Sequence, residues 1–303
     1  MDSAAVAAAD RGARFWTFGA RGPVRPGDDA HKAMFSRMLL ETFNPYKPAV
    51  IAWPALDPQA RAKLISLPIW DIAVQTEGRA RLRMLSYART VADPLVRHAL
   101  ELNGWEEGRH KEVLARLVSF YGIELEPEPE YLEPKDPEWS YLVTGYGECI
   151  DSFFAFGLFE AARRSGFFPP ELVETFEPVI QEETRHILFF VNWLAWHKRT
   201  MPLWRRPRFF FRTLGVWALL IGERMNIAKD VSSGETGSKQ DANFTLNGAD
   251  TLGKDINTRE LLETCLAEND RRMQGYDPRL LRPTTVPRLV RFVRRFLRHR
   301  KHG

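Results

Sequence analysis

The chain has 303 residues, is 44% hydrophobic and 27% charged, and carries a net charge of +4. This length and balance are ordinary for a soluble globular protein with one sizeable core. Two cysteines, Cys149 and Cys265, exclude a disulfide framework and read as free thiols in a reducing compartment. The first fourteen residues lack the basic and apolar regions of a secretory signal, and no apolar run is long enough to span a bilayer. A cytoplasmic location is therefore expected.

Residues 1–60 contain several Gly and Pro and no sustained period. They read as an irregular N-terminal arm with a short helix over 29–43. The segment 61–200 reads as four helices. The first follows Pro68 over 69–91. The second follows Asp93, a plausible N-cap, and Pro94, and stops at Gly122. Residues 124–138 are acidic and proline-rich, which forbids a helix there and makes them a crossover loop. A third helix covers 141–165, and a fourth runs from Pro169-Pro170 to 198. Two helices, one long connection and two further helices predict an all-α fold built on a four-helix bundle. Residues 201–303 add an apolar helix over 208–229, a polar, Gly-rich mobile loop over 230–256, a short helix over 257–273 and a basic amphipathic helix over 286–299.

Two pentapeptides carry the chemistry: EEGRH at 106–110 and EETRH at 182–186. Each holds a Glu-x-x-His pair, Glu107 with His110 and Glu183 with His186. Residues three apart on a helix share a face, so each pair can bind one cation. The stripe Val96, Leu100, Asn103, Glu107, His110, Leu114, Leu117 is mainly apolar, as is Leu172, Phe176, Val179, Glu183, His186, Phe190, Trp193. Both pairs therefore point into the core. Buried carboxylates need compensation, which metal ions supply. Further oxygen ligands are expected from the first and third helices. Glu77 lies on the stripe Trp70, Ala73, Glu77, Ala80, Met84. On the third helix Glu148 and Asp151 both suit the spacing; Glu148, the longer ligand, is preferred and Asp151 is the reserve.

The order Glu, Glu-x-x-His, Glu, Glu-x-x-His resembles the ligand set of the ferritin-like di-iron and di-manganese carboxylate superfamily. On this chain it would be Glu77, Glu107 with His110, Glu148, and Glu183 with His186. The resemblance covers about residues 69–198 and implies a ferritin-like bundle holding two Fe ions, or Mn and Fe, that activates O2. No flavin or iron–sulfur motif is present, so an external electron donor is expected.

Phe153, Phe156, Phe159, Phe190 and Trp193 would wall a dry pocket for a small apolar substrate, or simply fill the core. Arg109 and Arg185, each just before a ligand His, either bond carboxylates behind the ligands or face solvent; the solvent-facing reading is preferred. No acid follows Asp277, whereas nine Arg and Lys do. The basic C-terminal helix could touch an anionic membrane surface, or less favourably nucleic acid. The leading expectation is an O2-dependent oxygenase or oxidase for a small apolar or lipid-like substrate. A di-iron RNA hydroxylase and an iron-binding ferroxidase are the alternatives, and a homodimer is allowed.

Overall fold

The computed structural model describes residues 3–46, 53–67, 69–166, 168–233 and 258–296, with side chains in the fifth long helix described to residue 225. Ten α-helices lie among them: α1 (Ser3–Arg14), α2 (Asp29–Glu41), α3 (Pro58–Ile65), α4 (Trp70–Ala88), α5 (Pro94–Tyr121), α6 (Pro137–Ser165), α7 (Pro170–Thr200), α8 (Arg206–Ser233), α9 (Thr258–Met273) and α10 (Thr285–Val293). Among the described residues the only extended pairing is an isolated bridge between Trp16 and Tyr276. The fold is all-α.

One device starts three of these helices. Asp57, Asp93 and Asp136 each precede a proline, and each carboxylate accepts backbone N–H bonds from the first turn. The Asp136-Pro137 pair starts α6 four residues earlier than the apolar period suggests, because the capping Asp sits inside the acidic stretch that otherwise reads as loop. Gly122, at φ 68°, and Gly166, at φ 65°, close α5 and α6 in the left-handed region.

α4 lies along α5, α6 lies against α7, α4 also meets α6, and α5 also meets α7. The crossover between α5 and α6 is fastened to the first helix pair. Glu126 N donates to Asp71 at 2.7 Å, and Lys111 reaches Glu128 at 2.6 Å. α2 is not a loose arm. Its Met34, Phe35, Met38 and Leu39 are fully buried, and it packs on α5 and α7. The segments after α1 and after α9 are tied together as well: Phe18 N donates to Asp277 at 2.9 Å, and Arg279 donates to the Phe18 carbonyl at 2.9 Å.

Close helix approach depends on small residues. Gly145 of α6 faces the ring of Phe190 on α7, and Gly157 faces the backbone of Cys265 on α9. A methyl at Gly145 would overlap a ring that is 1% exposed. Gly145→Ala is expected to cost about 1–3 kcal/mol by overpacking, read as a lower urea midpoint at unchanged slope.

The expected loop over 230–256 falls outside the described residues except for 230–233, which belong to α8. The basic helix is shorter than expected: α10 gives way to a single 3-10 turn over Arg294–Phe296, and residues 297–299 lie outside the described residues. No helix among the described residues is long and apolar enough to cross a membrane.

Candidate metal centre

On α4, α5 and α7 the polar residues occupy a layer between two apolar clusters. One cluster contains Met84, Val96, Leu100, Phe189 and Trp193. The other contains Trp70, Leu117, Tyr121 and Leu172. Glu77, Glu107, His110 and Glu183 meet in this layer, each offering one ligand atom, all within 4.8 Å of one another. His110 Nδ1 is 3.1 Å from Glu183 and 3.7 Å from Glu77. His186 Nδ1 is 2.9 Å from Glu107 and 4.0 Å from Glu183. The two imidazole centroids are 5.6 Å apart.

These contacts do not satisfy the atoms that make them. Both Nδ1 atoms, Glu107 Oε1 and both oxygens of Glu148 are buried without a hydrogen-bond partner. Buried polar atoms are normally paired, and unpaired ones converging from three helices are what a cation site looks like before its ion is counted. Asp151, the reserve ligand, is engaged elsewhere: Arg224 of α8 holds its carboxylate at 2.7 Å. Glu160, another acid of α6, pairs with Arg163 and Arg164.

The first Glu of each pentapeptide explains the repeat, and sequence reasoning missed it. Glu106 on α5 accepts from His186 Nε2 on α7 at 2.9 Å and from Arg185 at 2.7 Å. Glu182 on α7 accepts from His110 Nε2 on α5 at 2.8 Å and also pairs with Arg109. Each motif thus supplies a candidate ligand pair on its own helix and a carboxylate–arginine support for the other helix. A carboxylate at Nε2 fixes the proton there and turns the Nδ1 lone pair toward the cluster.

Arg109 and Arg185 do not face solvent. They are 5% and 0% exposed, because α2 closes that side of the bundle. Arg185 donates to Thr42 Oγ1 at 2.7 Å and to the Leu39 carbonyl, and Arg109 donates to the Asn44 carbonyl at 2.8 Å. The available signal was the identity of the pentapeptides themselves: Glu-Glu-x-Arg-His repeats at four positions, two more than ligation needs.

Burial and charge set the ionisation. Burial would raise the Glu106 carboxyl, but Arg185 and His186 override it and hold its pKa at about 2. Burial, then Glu183 and Glu77, push Glu107 well above the usual carboxylate range. Burial, then Glu107 and Glu183, do the same to Glu148. For His110, burial opposes protonation, but Glu182, Glu183 and Glu77 raise its pKa well above the ordinary value.

A cavity of about 1080 Å³ opens beside the cluster and is bordered by Glu77, Glu107, His110, Glu148 and Glu183. Its apolar wall includes Leu64, Trp70, Leu114, Phe168, Leu172 and Phe176. Of the five aromatic residues expected to form a pocket, Phe159 faces this cavity. Phe153, Phe156, Phe190 and Trp193, each at most 1% exposed, pack in the larger apolar cluster. No family model, curated protein or solved structure matches this chain.

Proposed function

We propose that the protein is an O2-dependent di-iron oxidoreductase on a ferritin-like bundle, acting on an apolar or lipid-like substrate. The observation that carries this reading is the convergence of unpaired Glu107, Glu148, His110 and His186 atoms, the first three of these residues at the wall of a large, mainly apolar cavity. Glu77, Glu107, His110, Glu148, Glu183 and His186 would hold two Fe ions, or Mn and Fe; carboxylates with imidazole suit those metals. Bound iron would supply the electrons that reduce O2, with an external donor restoring them.

The chain's own residues do the rest. Glu106 and Glu182 fix the imidazole tautomers, while Arg109 and Arg185 balance their charge. The apolar wall excludes water and holds substrate against the cluster. A cavity of this size supports an organic substrate over iron storage, for which none is needed.

Anaerobic loading with Fe(II) tests the reading. About two irons per chain are expected in the wild type, with an absorbance change on exposure to O2. Glu183→Ala should lose most of that iron. Equal iron in both proteins, or none in either, would remove the metal centre and the function with it.

A further inference from the structure

We propose that the cavity binds an amphiphile with an anionic head, held by Arg79 and Arg83, and an apolar chain that runs toward the metal cluster. This deepens the proposed function by naming its substrate class. Both arginines border the cavity. They lie one turn apart on α4, so their charges repel rather than support each other. Of the charges around the cavity, the acids of the cluster face one another, and Asp151 and Arg224 form an ion pair at 2.7 Å. Glu223, exposed on α8, stands near enough to favour the Arg83 charge but makes no ion pair with it among the described residues.

Arg83 is therefore a half-buried cation without a described carboxylate partner, on a wall that is more apolar than polar. Burial and the neighbouring Arg79 depress its pKa, which marks the site as electrostatically uncompensated. A guanidinium in such a setting selects carboxylate or phosphate oxygens through charge-assisted hydrogen bonds. Beyond the arginines the wall turns apolar, through Ala80, Ala73, Trp70 and Leu114. A single-chain molecule with one anionic end matches that order; a wholly apolar one leaves the arginines unpaired.

Calorimetry on the Fe(II)-loaded chain without O2 tests this with dodecanoate, dodecanol and dodecyltrimethylammonium. Dodecanoate should bind at least about tenfold more tightly than dodecanol, the worth of one charged hydrogen bond. Arg83→Gln and Arg79→Gln should each remove most of that preference and leave dodecanol binding unchanged, while Arg83→Lys retains part of it. Equal binding of acid and alcohol, preference for the cation, or an acid preference surviving in both Gln variants would overturn the proposal. Iron content of the same variants separates the two ideas: normal iron with no acid preference sinks only this one, and acid preference without iron sinks only the oxidase reading.

A second observation stands apart from the cavity. On α8 the residues Phe210, Phe211, Leu214, Ile221 and Met225 are 57%, 68%, 49%, 51% and 55% exposed and follow one helical stripe. Leu203 and Trp204 extend it at 72% and 77%, and no described residue covers it. Arg206 and Arg208 flank the stripe, and no acid occurs between Glu183 and Glu223. We infer that this face docks on an anionic lipid bilayer. An aromatic stripe with arginines on both sides and no acids is complementary to that surface.

Full-length protein should sediment with vesicles of phosphatidylglycerol and phosphatidylcholine, and much less with phosphatidylcholine alone. Phe211→Glu with Leu214→Glu should weaken binding at least about tenfold, and each of Arg206→Gln and Arg208→Gln about fivefold. Absence of vesicle binding overturns the inference. So does a wild-type dimer that the Glu variants dissociate, which would make a second copy the occupant. Binding that ignores the Glu variants but follows the arginines would point to a polyanion such as RNA and also overturn it.

Discussion

Glu106→Ala is expected to cost about 3–5 kcal/mol of stability and to weaken iron binding about 10–100-fold. Glu106 is fully buried and receives both Arg185, at 2.7 Å, and His186, at 2.9 Å. Without it Arg185 remains a buried cation with only the Thr42 hydroxyl and the Leu39 carbonyl as acceptors. The loss of charge compensation sets the stability term. The loss of the Nε2 partner frees the His186 ring and its tautomer, which sets the metal term. Urea unfolding and iron content read the two separately. Glu112→Ala, an exposed position on the same helix, is the control and should move neither. A Glu106→Ala stability change below about 1 kcal/mol, with iron unchanged, would show that the crossed supports carry no weight.

Removing metal should make stability fall as pH rises from about 5 to about 8, at about 1.4 kcal/mol per pH unit for each extra proton the native state holds. The groups that titrate within this window share one sign. Glu107 and Glu148 are raised above the ordinary carboxyl value of 4.5, so the metal-free fold holds their protons where the unfolded chain has released them. His110 and His186 are raised above 6.5, so their contribution is present below that pH and lost as pH climbs through their folded values. Glu106 and Glu183 are lowered, and their contribution fades only below 4.5, outside this window. Bound cations replace those protons, so the loaded protein should be nearly flat over the same range and release protons on loading. Denaturant midpoints with Fe(II) and with chelator, at about pH 5.5 and about pH 7.5, check this. A chelated protein that gains stability toward pH 7.5 would contradict the proton count.

The sequence by itself determined the all-α class and the order and starts of most helices, but not α1 or the start of α3, which fall in the stretch read as an irregular arm. Proline, glycine and capping aspartate act within a turn or two of where they stand, so Asp93-Pro94 and Gly122 mark α5 without reference to the rest of the chain. It also brought Glu77, Glu107, His110, Glu183 and His186 onto inward stripes, because helical periodicity is a local property.

Tertiary structure decided what crosses between helices. Glu106 and Glu182 sit one residue off the ligand stripe and gain meaning only from the opposite helix, a register that no spacing along the chain encodes. Arg109 and Arg185 are buried because α2, more than sixty residues from the nearer of them, folds over that face. Asp151 is engaged because α8 brings Arg224 to it, while Glu148, three residues earlier, faces the cluster. The cavity likewise belongs to no single helix. Its wall combines α4, α5, α6, α7 and α8, whereas most of the aromatic run on α6 turns into the core. A helix's inward face can be read from its own period, but which neighbour meets it depends on long-range packing, and that is where the carboxylate–imidazole cluster, its crossed supports and the cavity were decided.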